Sequence, residues 1–244
     1  MSASGSTATG STKVAIVTGG RTGIGLATLK RFQQQGYKVI NISRKPSPLS
    51  GCISLEADFT QPHWSQQIGA ALEAEIAGAE QLVLVHNAGL HVNDSAMEVD
   101  AEAMRRSFDV NVVAPATLNR LVNPHLTPGS AIIYVGSTLS EKAVAGCASY
   151  VSAKHALVGL MRATCQDLQG RQVHTACICP GFTDTEMLRE HVGNSDEVLK
   201  EIASICTYGR LINTDEIAGT LYFCATNPVV NGTVMHANLG QIER

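Results

Sequence analysis

Long apolar runs are missing from this 244-residue chain: no stretch approaches the roughly 18 consecutive apolar residues that a membrane span requires. An excess of one charge is missing too. A formal net charge of −3, with no block of like charges, offers nothing to a nucleic acid or an anionic membrane surface. No Cys-x-x-C pair occurs, and the seven cysteines, an odd number, are scattered from Cys52 to Cys224. That argues against a disulfide framework and for reduced thiols in a cytoplasmic protein. The eight histidines fall in no His-Glu-x-x-His or other ligand spacing, so no metal site is expected. The opening MSASGSTATGST lacks a basic start and an apolar core, so it is not a secretory signal. Residues 1–12 are expected to form a disordered tail.

What is present is an alternation. Short runs rich in Val and Ile lie at 13–19, 37–43, 52–57, 81–87, 130–137, 173–180 and 232–237, each ending near Gly, Pro, Asn or Ser. Between them lie stretches of helical length at 24–35, 62–77, 99–121, 149–169 and 214–226. Such alternation predicts an α/β fold, a doubly wound parallel sheet with helices on both faces. Strands covered on both sides read as near-continuous apolar runs, as these do. No linker or repeat interrupts 13–244, so one domain is expected. The polar insertion 183–210 breaks the rhythm and is a candidate substrate lid. In the sixth run, Cys177 and Cys179 alternate onto one strand face, and the single tryptophan, Trp64, is expected to pack its helix on the sheet.

The first strand runs into TGGRTGIG, Thr18 to Gly25. The usual Gly-x-Gly-x-x-Gly is absent, but the physical needs are met by another spacing. Gly19 permits a tight turn, Gly23 lets backbone N–H groups approach a pyrophosphate, and Gly25 lets the helix lie close to the sheet. With Arg21, Thr22 and Ile24 between them, these residues form a candidate phosphate cradle at a helix N-terminus. After the second strand, where an NAD site usually carries an acid, stand Ser43, Arg44 and Lys45. A guanidinium fork and a hydroxyl suit a 2′-phosphate that a carboxylate would repel, so NADP(H) is expected over NAD(H). Arg21 in the glycine turn stands one step before Thr22, which directly precedes Gly23.

A tyrosine and a lysine in SYVSAK, Tyr150 and Lys154, lie one helical turn apart on a shared face. Taken alone the pair is ordinary surface decoration. In register with the glycine turn, His-Asn-Ala-Gly at 86–89, Asn111 in DVNVVAP, Ser137 in VGST and PGFTDTEM at 180–187, it makes the chain resemble the short-chain dehydrogenase/reductase family over about 13–240. The resemblance implies a Rossmann-like fold with seven parallel strands, and an enzyme that interconverts a carbonyl and an alcohol by hydride transfer. It implies that Tyr150 passes the proton, Lys154 supports the phenolate and binds the nicotinamide ribose, Ser137 polarises the substrate oxygen, and Asn111 holds a water in a relay toward Lys154. It places Asp58 at the adenine, Asn87, Ala88 and Gly89 beneath the cofactor, and Pro180, Gly181, Thr183 and Thr185 beside the nicotinamide. Asp58 could equally serve as a helix cap, and Thr185 as a loop filler. The family's first asparagine is here His86.

The physical logic of the pair is independent of that resemblance. A phenol ordinarily titrates near 10, so proton transfer at neutral pH needs a cation fixed beside its anion. Pro115, four residues after Asn111, removes the N–H that would bond the Asn111 carbonyl, so a distorted helix is expected there. His155 turns away from the Tyr150/Lys154 face and is read as structural. The lid carries six Asp/Glu against three Lys/Arg, with no basic docking face. This favours a small free carbonyl or alcohol over acyl groups on an acidic carrier protein, although a 3-oxoacyl-[acyl-carrier-protein] reductase is the alternative. A non-catalytic NADP(H)-sensing protein on the same fold is the other, and the intact Ser/Tyr/Lys set speaks against it. The family resemblance also implies a homo-oligomer, a tetramer or a dimer.

Overall fold

The seven apolar runs become seven strands, and all of them pair in parallel. A computed structural model describes residues 12–242. Its strands are β1 (Lys13–Thr18), β2 (Lys38–Ser43), β3 (Ile53–Glu56), β4 (Gln81–His86), β5 (Ala131–Val135), β6 (His174–Pro180) and β7 (Thr233–Ala237). They form one sheet in the order β3-β2-β1-β4-β5-β6-β7, with Val14 opposite Lys38 on one side of β1 and Leu82 on the other. The helices are α1 (Gly23–Gln34), α2 (Trp64–Ile76), α3 (Ala101–Phe108), α4 (Ala114–Val122), α5 (Ala148–Asp167), α6 (Glu186–His191), α7 (Asp196–Ser204) and α8 (Thr214–Thr226). The described residues form one α/β domain. Of the expected tail, residues 1–11 lie outside the described residues, while the Thr12 carbonyl accepts from Glu80 N at 3.1 Å.

Strand side chains alternate between two cores, because a strand's period of two sends neighbours to opposite faces. Val14, Ile16, Leu82, Leu84, Ile132 and Tyr134 pack with α2, α4 and α5 on one face. Ala15, Val17, Val83, Val85 and Ile133 pack with Leu29 and Phe32 of α1 and Leu221 of α8 on the other. Cys177 and Cys179 share the first face, as their spacing predicts, and all seven cysteines are free. Trp64 lies in the same core, edge-on to Phe59 at 4.7 Å.

One expectation is met and another needs correction. The distortion expected within 99–121 is present: α3 ends at Phe108, a π-helical turn covers Asp109–Val113, and α4 starts at Ala114. Pro115 has no N–H for the Asn111 carbonyl, and the wider turn absorbs the missing bond. The segment 183–210 is less a loop than two short helices, α6 and α7, each started by a hydroxyl cap, Thr185 and Ser195. Among the described residues no helix is long and apolar enough to cross a membrane, and no group of three or more His, Cys, Asp or Glu could hold a metal ion.

Candidate active site

The strand order turns outward between β1 and β4, and there the C-terminal strand ends open into a cleft of about 760 Å³. Crevices at such a switch point are where doubly wound sheets bind ligands. One wall is the glycine turn. Gly19 has φ +69°, and a Cβ on Gly25 would lie 2.3 Å from the Gly19 carbonyl oxygen and 2.5 Å from Asn87 Nδ2. Helix α1 therefore approaches the sheet edge as closely as a residue without a side chain allows. Arg21 and Thr22 line the cleft, whereas Ile24 turns its side chain into the second core and leaves only backbone to the turn. Gly23, with φ +53°, opens α1 against Thr185.

The turn is braced by three polar residues. Thr18 Oγ1 accepts from the amides of both Asn87 and Ala88 at 2.9 Å, and Asn87 Nδ2 donates to the carbonyls of Thr18 and Gly19. Asn87 thus pins β1 to β4, while Ala88 and Gly89 line the cleft floor. Buried Asn41 accepts from Gly20 N at 2.8 Å. Sequence reasoning missed Thr18 and Asn41; the signal was a polar residue closing the apolar run of β1 and one interrupting that of β2.

Arg44 and Lys45 line the far end of the cleft with Ser43. The Ser43 hydroxyl, expected to face a phosphate, instead donates to the Lys45 carbonyl at 2.7 Å and accepts from Asn41 Nδ2. Its role shifts from donor to brace, and the cationic side chains remain. Asp58 also lines the cleft. Its Oδ1 accepts from Thr60 N and Oγ1, so it closes a turn; α2 begins six residues later at Trp64, and Asp58 is not its cap.

The reacting end is assembled from β4, β5, β6 and the helices that follow them. Lys154 is buried, donates to the Val135 carbonyl at 2.9 Å, and holds Nζ 5.5 Å from the centre of the half-buried Tyr150 ring. Ser137 caps the short turn Thr138–Ser140, which packs against α5. Its Oγ accepts from Leu139 N at 3.1 Å, so its own proton is left to donate. The π turn aims Asn111 inward, and Nδ2 donates to the carbonyls of Leu90 and Ser107 at 2.9 and 2.8 Å. Asn111 Oδ1 is buried with no hydrogen-bond partner among the described residues, and it flanks Gly89 together with Lys154 Nζ. A buried acceptor left unpaired is costly, and a bridging water is the ordinary remedy.

Beside β7, the Gly181 amide donates to the Ala237 carbonyl at 3.0 Å, which sets the Pro180–Gly181 turn. Thr183 donates to the Gly181 carbonyl, and Thr185 caps α6 by accepting from Leu188 N. Neither hydroxyl oxygen is idle, but the Thr185 proton remains available to a ligand. Residues Glu186, Met187 and Glu190 of α6 form the cleft's outer edge. Behind the site, His86 is fully buried and its Nε2 meets Asn119 Oδ1 at 2.8 Å; burial pushes its pKa down to about 4 against the raising effect of that bond. His155 bonds the Val151 carbonyl of its own helix.

Below Ser137 lies a thiol pair. A Cβ on Gly136 would fall 2.8 Å from Cys179 Sγ and 2.9 Å from Cys177 Sγ, so the turn rests directly on both sulfurs. The two buried thiols interact with each other, which raises Cys177 and lowers Cys179.

The comparisons come to the same architecture. A family model described as short chain dehydrogenase matches residues 13–196. An uncharacterized oxidoreductase of Methylorubrum extorquens is 28% identical, covering 93% of this chain and 97% of its own. The 3-oxoacyl-[acyl-carrier-protein] reductase FabG of Vibrio cholerae is 27% identical, covering 93% and 96%. Among solved structures, a blue fluorescent protein from a metagenomic library in complex with NADPH superposes with a TM-score of 0.84 at 25% identity, covering 95% and 98%.

Proposed function

The chain belongs to the short-chain dehydrogenase family, and from that premise we propose that it is an NADP(H)-dependent oxidoreductase acting on a small, free carbonyl or alcohol. The observation that carries this reading is the buried Lys154 ammonium fixed beside Tyr150, with Nζ next to Gly89 and the Tyr150 ring against His91, two residues that line the glycine-walled cleft.

The residues present fit a pyridine dinucleotide. The close approach of Gly25 to Gly19 sets the start of α1 against the cleft wall that Gly19, Arg21 and Thr22 line, where its unpaired amides would meet a pyrophosphate. Arg44 and Lys45 would hold a 2′-phosphate, and Asp58 the adenine end. Lys154 would reach the ribose, and Pro180, Gly181, Thr183 and Thr185 would border the nicotinamide. When bound, the dinucleotide supplies or accepts the hydride.

Proton handling falls to the chain. In reduction, Ser137 donates to the substrate oxygen and fixes its angle. Tyr150 gives that oxygen its proton, and Lys154 stabilises the negative charge developing on the phenol. Asn111 Oδ1 holds a water that refills the proton from the solvent side. In oxidation the same groups run in reverse.

A second reading, a reductase of carrier-bound acyl groups, is favoured by the FabG likeness. The acidic outer edge made by Glu186 and Glu190 speaks against it, because it would repel an acidic carrier. Turnover of an acetoacetyl group on carrier protein, against the same group on a small thioester, separates the two. The main test is a carbonyl panel with NADPH run beside Tyr150→Phe. Turnover should fall by about 10²-fold or more while cofactor affinity holds, in keeping with the usual weight of a general acid. Full activity in that variant refutes the assignment.

A further inference from the structure

The helix that carries Tyr150 and Lys154 begins without a cap of its own. Its first flanking residue, Cys147, makes no side-chain capping bond. Helix N-termini leave amides unpaired, and a side-chain acceptor there is worth about 1 kcal/mol. Here the acceptor comes from another part of the chain. Asp94, in the loop that follows β4 and Gly89, accepts from Ser149 N at 3.0 Å through Oδ1 and from the Ser149 hydroxyl through Oδ2. The backbones lock as well: Asp94 N donates to the Gly146 carbonyl at 3.0 Å, and Ala148 N donates to the Asp94 carbonyl at 3.3 Å. Three residues earlier in that loop, the His91 ring lies against the Tyr150 ring, with centres 4.7 Å apart, and lines the cleft. Its Nε2 is 3.5 Å from the Cys147 thiol, which burial and the Asp94 carboxylate push up, so that it stays protonated.

We propose that Asp94 and His91 are positioning residues for the proton donor: Asp94 fixes the first turn of the catalytic helix, and His91 holds the face of the Tyr150 ring toward the cleft. The inference rests on the Tyr150 reading above. Tyr150 is the residue after Ser149, so the clamp acts one peptide away from the phenol. The same loop starts at Leu90, whose carbonyl accepts from Asn111. One short segment therefore ties the relay asparagine, the donor tyrosine and the cleft wall into a single unit. A misplacement near 1 Å can cost about 10²-fold in rate, so a loose first turn should show in turnover before it shows in binding.

The experiment compares Asp94→Ala, Asp94→Asn, His91→Ala and His91→Phe with the parent protein. For each, kcat is measured with the panel substrate, NADPH affinity by fluorescence, and amide hydrogen exchange over residues 147–152. Asp94→Ala should lower kcat about 10- to 100-fold and speed exchange there, with NADPH affinity held within about twofold, as expected for lost orientation. Asp94→Asn keeps an acceptor for Ser149 N and should restore most of kcat. His91→Phe keeps a ring against Tyr150 and should exceed His91→Ala. Unchanged kcat in Asp94→Ala, or an Asn variant as poor as the Ala one, overturns the proposal. Should the parent show no turnover on any substrate, the proposed function fails by itself. Exchange then judges the clamp alone, and unaltered exchange in Asp94→Ala refutes it.

Discussion

Gly25→Ala probes the wall of the cleft with a single methyl group. The new Cβ would meet the Gly19 carbonyl oxygen at 2.3 Å, Asn87 Nδ2 at 2.5 Å and the Gly19 carbonyl carbon at 2.9 Å. Contacts between carbon and its neighbours relax near 3.5 Å, so α1 must retreat by about an ångström. Two of the three obstacles are backbone, and the third is the Asn87 amide that pins β1 to β4. Nothing there swings aside cheaply. Overpacking of this kind costs about 1–3 kcal/mol. In a domain of this size, that lowers Tm by roughly 3–10 °C. On the proposed reading the retreat would also withdraw the helix amides from where a pyrophosphate would sit, and one lost charge-assisted hydrogen bond is worth about 1.5–3 kcal/mol, or roughly 10- to 100-fold in Kd. Gly69→Ala, in α2, is the matched control: nothing lies within 4 Å of its Cβ and its φ is not positive. Alanine there should stabilise by up to about 1 kcal/mol through helix propensity. Thermal unfolding and fluorescence titration with NADPH read both effects. If Gly25→Ala kept the parent Tm and Kd, the close approach of α1 would not be what shapes the cradle.

Arg44→Glu places a carboxylate where a 2′-phosphate would lie, so NADPH affinity should fall about 10- to 100-fold while NADH affinity holds or improves. Equal losses for the two cofactors in titrations would refute the 2′-phosphate assignment. His86 sets an acid limit on stability. Its pKa is about 4 when folded against 6.5 ordinarily, so the unfolded chain binds the extra proton between those values. Stability fully present above pH 6.5 should be lost as pH falls toward 4, about 3 kcal/mol in all. His86→Asn should flatten that limb in denaturant titrations at about pH 7.5 and about pH 5, on either side of the ordinary histidine value, and an unchanged slope would refute it. Gly136→Ala would push the Ser137 turn off the Cys177 and Cys179 sulfurs. It should lower kcat more than NADPH affinity, and parallel losses would count against that reading.

Much of this was legible in the chain because local pattern is enough to write it. Strands covered on both faces must be apolar throughout, so 81–87 and 173–180 announce β4 and β6 almost to the residue. Pro115 announces the break beside Asn111, because a residue without an N–H cannot close a regular helical turn there. What stayed hidden depends on groups far apart in sequence. That Asn41 holds the Gly20 amide follows from the pairing of β1 with β2, which brings together residues 21 positions apart, and no spacing encodes it.

The amino-acid order by itself determined the alternation of elements, the glycines that admit a helix beside the sheet, and the kinds of side chain set at the strand ends. Each of those is a property of a residue and its near neighbours. Only the tertiary structure decided that Asp94 caps a helix beginning 54 residues later, that Thr18 and Asn87 tie two strands together, and that two sulfurs lie under Ser137. Those contacts exist because the parallel sheet brings the C-terminal ends of separate strands to one edge, where unpaired groups must find partners from whatever the fold delivers there.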